Sequence, residues 1–189
     1  SLVRKVNPLN GQVIKNVALA NEVFAEGLTV LNDKVYQITW QEGICFIYDK
    51  DLNQLNKTGF RSTNDQGWGL TNDGKSLIVS DGSHKLTFLN PENMAVEKVI
   101  SVYGGENEAT YINELEYVDG YIYANIYTTD QIAKIEASTG KIISVADMSA
   151  LKAENQDGEV LNGIAYLPNK KTFLVTGKYW KNMYEIQFD

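Results

Sequence analysis

The sequence is poor in the residue types that build most metal and thiol chemistry. Its 189 residues include one cysteine, one histidine and three prolines. A single cysteine excludes an internal disulfide and a cysteine-rich zinc site, and Cys45 lies in an apolar run that predicts a buried structural thiol. The lone His84 lies in a turn-like stretch, so we expect no metal site and no Cys–His nucleophile. Any chemistry therefore has to come from carboxylates, amides, lysine and aromatic side chains.

Basic residues and long apolar runs are also scarce. Seventeen Lys and Arg residues against 24 Asp and Glu give a formal net charge of −7. Because nucleic-acid binding needs a cationic surface that neutralises phosphates, we expect no nucleic-acid partner. The apolar runs fall well short of the about twenty residues that a membrane helix needs, so the sequence predicts no membrane span. Its length is sufficient for one domain with a sizeable core.

In place of these features the chain carries an internal repeat. Four segments align with one another, at residues 25–40, 67–81, 113–127 and 162–178. The spacings between equivalent apolar anchors are 42, 45 and 49 residues, measured between Leu28, Leu70, Leu115 and Ile164. Each segment combines a short strand, a turn and a second strand of alternating polarity, which is the pattern of a β-hairpin.

The stretches between the repeated segments predict two more strands each. Residues 45–60, 86–100 and 132–146 hold apolar runs on both sides of a turn that carries Asp, Pro or Gly. Units of four antiparallel strands at a period of about 40–50 residues are typical of β-propeller blades. Residues 148–155 predict a short turn or helix in a loop. We therefore expect an all-β fold with a single β-propeller domain over residues 1–189.

The two ends of the chain predict incomplete blades. Residues 1–19 match the two outer strands of a unit, and residues 182–189 match only a third strand. The expected content is half a blade, three whole blades and three further strands. Because open sheet edges invite aggregation, we expect that the inner strands which close the ring at the N-terminal side are missing from this sequence.

Equivalent positions of the repeat should meet at one mouth of the central channel, which the innermost strands of a propeller line. Two positions before the anchors, the chain has Glu26, Trp68, Asn113 and Asn162. The returning strands reach the same end with Trp40, Asp81, Tyr127 and Lys178. An acid, a lysine, amides and aromatic rings in one pocket are the usual composition of a small-ligand site.

Simpler interpretations exist for these residues taken singly. The tryptophans would be core packing that fills the channel, and Asn113 and Asn162 would cap strand ends. The whole set favours a functional pocket, because Glu26 and Lys178 are costly to place beside aromatic rings without a partner or a role.

Five short motifs in a fixed order extend over nearly the whole chain. They are EGLT, GWGLT, NELEYVDGYIYAN, VLNGIAY and FLVTGKYW, which begin at residues 26, 67, 113, 160 and 173. In this order and spacing they resemble the glutamine cyclotransferase family, the plant and bacterial type of glutaminyl-peptide cyclotransferase. The resemblance implies a five-bladed propeller that converts the N-terminal glutamine of peptides to pyroglutamate and releases ammonia. It also implies a metal-independent reaction without a cofactor, and a secreted or periplasmic protein, which we expect to be a monomer.

The resemblance can be carried over residue by residue. The family's active-site motif falls on Glu26, Trp40, Trp68, Asn113 and Lys178. Asp147 corresponds to a further family position near the site. The chain departs from the family at Tyr127, where a tryptophan is usual, which keeps an aromatic wall and predicts altered specificity. The family's Phe-Thr-Gln-Gly-Leu segment has no counterpart here, so the chain as written is expected neither to close its ring nor to work well.

The reaction suggests a role for each candidate. Glu26 would carry a proton from the attacking amine to the leaving nitrogen, and Lys178 or Asn113 would stabilise the oxyanion. Burial among tryptophans would raise the pKa of Glu26 while Lys178 would lower it, and the sequence leaves open which effect is larger. A list of expected substrate-binding residues completes the site: Trp40, Trp68, Tyr127, Asn162 and Asp147.

Two alternative functions are compatible with a propeller. A non-catalytic propeller would hold a peptide N-terminus or another small ligand in the same aromatic mouth. A lactonase-like hydrolase would need a central metal, for which the channel offers Glu26, Asn113 and Asn162. The tryptophans and Lys178 argue against that metal, because a lysine repels a divalent cation.

Overall fold

The computed structural model describes residues 1–188, which form small antiparallel sheets. The first sheet pairs β1 (Leu2–Val6) with β2 (Val13–Ala18). The second contains β3 (Ala25–Leu31), β4 (Lys34–Thr39), β5 (Ile44–Asp49) and β6 (Gln54–Gly59). The third contains β7 (Leu70–Asn72), β8 (Leu77–Ser80), β9 (Lys85–Leu89) and β10 (Val96–Ser101).

The remaining elements follow the same plan. A hairpin of β11 (Tyr103–Gly104) and β12 (Asn107–Glu108) leads to the next sheet. The fourth sheet contains β13 (Ile112–Val118), β14 (Tyr121–Ile126), β15 (Gln131–Glu136) and β16 (Ile142–Asp147). The short helix α1 (Ser149–Ala153) precedes the fifth sheet, which contains β17 (Leu161–Leu167), β18 (Thr172–Gly177) and β19 (Tyr184–Ile186). The predicted order of one two-stranded, three four-stranded and one three-stranded sheet is confirmed, as is the short helix, whereas the β11–β12 hairpin was not predicted.

Tight turns connect the strands where the sequence predicts them. Asn32 and Asp33 have φ angles of 49° and 63°, and Asp119 and Gly120 have φ angles of 48° and 88°. Two consecutive positive φ angles define the type I′ turn, whose twist matches that of the flanking strands. Asn, Asp and Gly tolerate this left-handed backbone better than other residues, so these dipeptides determine the hairpins locally.

Four apolar clusters join the five sheets in chain order. Val3 packs with Tyr48 between the first and second sheets, and Ile38 packs with Leu70 between the second and third. Equivalent clusters join the third sheet to the fourth and the fourth to the fifth. Each sheet thus packs face to face on its neighbours, which gives a propeller-like, all-β arrangement.

Glycine allows the inner strands to approach one another closely at the centre. A methyl group on Gly27 would collide with the backbone nitrogen of Leu70, and one on Gly69 would collide with the carbonyl oxygen of Asn113. This packing explains why glycine directly follows Glu26 and Trp68 in the repeat. The pocket residues are therefore fixed to backbone that has almost no room to move.

Cys45 is fully buried in the cluster between the second and third sheets. Burial raises the pKa of its thiol to about 12, which suits the predicted structural role because a buried neutral thiol is a poor nucleophile. None of the helical segments within residues 1–188 is long and apolar enough to cross a membrane.

Candidate active site

A cavity of about 260 Å³ lies where the inner strands begin. Its lining consists of Phe24, Glu26, Trp40, Trp68, Asn113, Tyr127 and Lys178. Six of these seven residues are candidates from the sequence, and Phe24 is the addition. The structure therefore brings together side chains that are separated by up to about 150 positions in the chain.

Irregular pairing directs the polar side chains at the start of the inner strands. The register of β3 against β4 shifts between Ala25 and Leu28, around Glu26. The same shift occurs between Ile112 and Leu115, around Asn113. Bulges of this kind bend a strand and redirect a side chain, and they are frequent beside active sites. The repeat therefore preserves the bulge as well as the strand.

Backbone hydrogen bonds fix the aromatic residues of the wall. The Trp40 N–H donates to the Phe24 carbonyl at 2.9 Å, and the Gly67 N–H donates to the Trp40 carbonyl at 2.8 Å. The Trp68 N–H donates to the Ser80 carbonyl at 2.9 Å. The wall thus continues the hydrogen bonding of the sheets beyond the ends of their strands.

The aromatic rings pack edge to face. Trp68 and Tyr127 have ring centroids 5.4 Å apart at 77°, and Phe24 and Trp40 have centroids 6.1 Å apart at 70°. Lys178 Nζ lies 5.5 Å from the Tyr127 ring centroid, within the range of a cation–π interaction. Lys178, directly after β18, is therefore accommodated beside aromatic residues because the Tyr127 ring of the neighbouring sheet partly replaces the hydration of its ammonium.

The half-buried Glu26 carboxyl has a raised pKa. Burial is the largest cause, and the positive charge of Lys178 acts in the opposite direction. Desolvation therefore outweighs the cation, which answers the question that the sequence left open. A carboxyl group with a raised pKa exchanges protons closer to neutral pH than an exposed glutamate does.

Asn113 offers an unsatisfied amide to the cavity. The residue is 4% exposed, and its Oδ1 has no hydrogen-bond partner within residues 1–188. Buried polar atoms in proteins are nearly always hydrogen-bonded, so this unpaired oxygen, on a residue that lines the cavity, is an acceptor for which a ligand can supply the missing donor.

Three candidate residues do not line this cavity, namely Asp147, Asn162 and Asp81. Asp147 is exposed at the end of β16, where its Oδ1 accepts a hydrogen bond of 2.8 Å from the Ser149 N–H at the start of α1. That bonding lowers the pKa of Asp147. The side chain of Asn162 is half-buried, and its Oδ1 lacks a partner among the described residues.

Asp81 stabilises a loop beside the pocket instead of lining the pocket. Its buried carboxylate accepts hydrogen bonds from the Thr63 hydroxyl at 2.6 Å and the Asn64 N–H at 3.0 Å. The loop of residues 61–67 also carries Gln66, whose side chain contacts both tryptophans. Nothing in the repeat pattern indicates this loop, because it lies outside the repeated strands.

Two glutamates of β13 are further residues that sequence reasoning missed. Glu114 and Glu116 have pKa values raised to about 8 and about 7, mainly by burial. The negative charge of Glu26 contributes to the shift at Glu114, so the two carboxyls are electrostatic neighbours. The repeat did contain a signal, because Glu114 stands where the other inner segments have glycine at 27, 69 and 163.

Comparisons with known proteins identify the family of this chain. A family model for glutamine cyclotransferase matches residues 1–188. The curated glutaminyl-peptide cyclotransferase of Arabidopsis thaliana is 38% identical over 194 residues, covering 99% of this chain and 60% of that protein. This chain thus spans about 60% of the length of that relative.

Solved structures show the same fold. The crystal structure of Myxococcus xanthus glutaminyl cyclase matches with a TM-score of 0.92 and 32% identity, covering 100% of this chain and 82% of that one. A protein of unknown function from Bacteroides caccae matches with a TM-score of 0.56 and 10% identity over 93% of this chain and 61% of that one, a likeness of fold alone. The match over residues 1–188 and the two closely similar enzymes show that this chain belongs to the glutamine cyclotransferase family.

Proposed function

We propose that this chain contributes the active site of a metal-independent glutaminyl-peptide cyclotransferase, which converts N-terminal glutamine to pyroglutamate and releases ammonia. Family membership and the relative named glutaminyl-peptide cyclotransferase support the proposal. The observation that carries it is the half-buried Glu26 carboxyl with a raised pKa, in an aromatic cavity that also contains Lys178.

The size of the cavity suits the end of a peptide. Its volume of about 260 Å³ lies just below the about 300–1,000 Å³ typical of pockets for drug-sized ligands. One folded-back glutaminyl residue is a matching occupant, with the rest of the peptide outside. Trp40, Trp68 and Tyr127 would hold the side chain so that the α-amine lies against its own amide carbon, which supplies proximity.

Glu26 would transfer a proton from the attacking amine to the leaving nitrogen. The α-amine nitrogen forms a bond to the side-chain amide carbon and loses a proton to the Glu26 carboxylate. The same proton then passes to the amide nitrogen as the old carbon–nitrogen bond breaks, so that ammonia leaves and the ring closes. One carboxyl group serves both transfers, and its raised pKa suits a group that must both accept and donate near neutral pH.

Lys178 and Asn113 are the candidates for stabilising the oxyanion of the tetrahedral intermediate. Each donor of this type is typically worth about 3 kcal/mol in acyl chemistry. Asn113 and Lys178 both line the cavity, and their donors would be the Nδ2 amide group and the ammonium, whereas the unpaired Oδ1 of Asn113 is an acceptor. A direct contact of Asn162 or Asp147 with the substrate stays a prediction.

We also propose a wider setting for the site. In it, residues 1–189 belong to one five-bladed propeller domain, and the inner strands that complete the blade of β1 and β2 come from a further segment. The longer relatives support this proposal. By family resemblance the protein would be secreted or periplasmic. It would also be a monomer, and light scattering tests its oligomeric state.

The deciding experiment is ammonia release from a glutaminyl dipeptide with chelator present. We expect release by the protein that contains this chain, and a loss of about 10²–10⁴-fold in kcat for Glu26→Gln, the usual size of a general acid–base contribution. Glu22→Gln, an exposed glutamate just before β3, is the matched control and should keep full turnover.

The outcomes separate the alternatives. Normal turnover of Glu26→Gln would rule out the proton shuttle. If the folded wild-type protein releases no ammonia, a propeller that binds peptide N-termini without turnover is favoured. Calorimetry with the same dipeptide would then detect binding. If a longer protein is active and the 189-residue chain is not, the result would support the proposal that a further segment supplies the missing inner strands.

A further inference from the structure

A single oxygen atom connects the two tryptophans of the cavity. Gln66 Oε1 accepts a hydrogen bond of 2.7 Å from Trp40 Nε1 and another of 2.9 Å from Trp68 Nε1. An amide oxygen has two lone pairs, so it can satisfy both indole donors at once. Trp40 follows β4 of the second sheet and Trp68 precedes β7 of the third, so the contact bridges two sheets.

Gln66 is itself held in place. The Ser62 hydroxyl accepts a hydrogen bond of 3.1 Å from the Gln66 N–H and donates one of 2.6 Å to the Gln66 carbonyl. Thr63 and Asn64, in the same loop, are bound to the buried carboxylate of Asp81. The half-buried Gln66 side chain therefore rests on a loop that is anchored at both its middle and its end.

The two tryptophans depend on Gln66 to different degrees. Trp68 also packs against Gly82 and Tyr127, which restricts its ring. Trp40 is 38% exposed and has an edge contact with Phe24, so its orientation depends more on the bond to Gln66. Loss of the bonds to Gln66 would therefore free the ring of Trp40 more than that of Trp68.

We propose that Gln66 is a positioning residue, whose carboxamide oxygen holds both indole rings in the orientation that shapes the cavity for the substrate. The consequence for catalysis rests on the proposed function, whereas the clamp on the two rings can be tested without it. Gln66 lies among neither the proton-transferring nor the oxyanion-stabilising groups, so its effect should fall on substrate binding.

Substitutions at position 66 distinguish the effect of the acceptor oxygen from the effect of side-chain size. Gln66→Met keeps the length of the side chain and removes the acceptor, and Gln66→Glu keeps an oxygen that accepts even stronger charge-assisted bonds. Gln66→Ser, too short to reach both indoles, replaces Gln66→Met in the same assays if that variant does not fold. Gln41→Leu changes an exposed glutamine beside Trp40 and is the matched control.

The first readout is optical. The chain has three tryptophans, so a Trp180→Phe background leaves the two clamped indoles as reporters. We expect Gln66→Met to lose most of the near-ultraviolet circular dichroism of tryptophan and to increase acrylamide quenching about twofold or more. Gln66→Glu and the Gln41→Leu control, in the same background, should keep the spectra of the Trp180→Phe protein.

The second readout is kinetic. We expect Gln66→Met to raise KM for a glutaminyl dipeptide about tenfold or more, with a smaller change in kcat, and Gln66→Glu to restore KM. Wild-type spectra and KM in folded Gln66→Met would overturn the clamp, and so would equal losses in Gln66→Met and Gln66→Glu. If the wild-type protein releases no ammonia, the proposed function fails, and the spectra alone decide whether the clamp exists.

Discussion

At the scale of single residues, the environment of Glu26 determines its chemistry. Burial raises its pKa and the Lys178 ammonium partly offsets that rise. Lys178 in turn lies over the Tyr127 ring, and within residues 1–188 its ammonium forms no ion pair with a carboxylate. In the proposed mechanism the same lysine that lowers the pKa of Glu26 would also serve as an oxyanion donor.

Replacement of Lys178 tests both roles. In Lys178→Met the pKa of Glu26 should rise further, because the group that lowers it is gone, and the acidic limb of the pH profile of kcat/KM should move to higher pH. The rate should also fall about 10²-fold, the usual cost of an oxyanion donor. A pH series of ammonia release measures both effects.

Lys181→Met is the control for this series. Lys181 is an exposed lysine nearby in the chain, paired with Asp157 at 3.2 Å, and exposed pairs of this kind contribute little. Its profile should match that of the wild type. A Lys178→Met enzyme with an unshifted limb would show that the two side chains do not interact in solution.

At the scale of elements, close backbone contacts between inner strands hold the site together. Gly69 abuts the Asn113 carbonyl and the Glu114 Cα, so β7 and β13 pack without side chains between them. The φ angle of Gly69 lies outside the left-handed region, so only steric room demands glycine here.

Gly69→Ala should therefore destabilise the fold by about 3 kcal/mol, the upper part of the range for overpacking. The new methyl group would collide with backbone, which cannot rotate away as a side chain can. Urea unfolding measures the change through the midpoint at constant slope. Gly59→Ala in β6, where a methyl group meets nothing closer than 3.7 Å, should stay within about 0.5 kcal/mol of the wild type.

At the scale of the whole molecule, the packing of inner strands concentrates acidic groups at the centre. Burial raises the pKa of Glu114 to about 8 and that of Glu116 to about 7, from an ordinary value of 4.5. The folded protein keeps protons that the unfolded chain releases above pH 4.5. This contribution to stability is complete below about pH 4.5 and is lost as the pH rises through about 7 to 8.

The double variant Glu114→Gln/Glu116→Gln should flatten the dependence of stability on pH. The amides keep the acceptor oxygens for the Leu70 and Tyr166 N–H groups but have no proton to lose. We expect the variant to gain stability relative to the wild type as the pH is raised from 5 to 9, as urea unfolding at each pH would show. Glu106→Gln, at an exposed position, is the control, and equal slopes for variant and wild type would contradict the prediction.

Much of the fold and most of the cavity follow from the sequence alone. Strand alternation and turn dipeptides such as Asn32–Asp33 act locally, so the repeat predicted the strands and their order. Residues 148–155, outside the repeat, separately predicted a short turn or helix. The same repeat placed Glu26 and Lys178 at equivalent ends of strands, because equivalent positions meet at one mouth when sheets pack in a ring.

What lies outside the repeat was decided only by tertiary structure. Gln66 and Asp81 acquire their contacts through a loop whose path depends on packing between sheets, and no local pattern encodes that path. Asp147 is exposed at the end of β16, because that strand lies at the edge of its sheet opposite β13, the strand that carries Asn113. The raised pKa values of Glu26 and Glu114 likewise need the assembled centre, since desolvation and charge proximity exist only after distant strands have packed together.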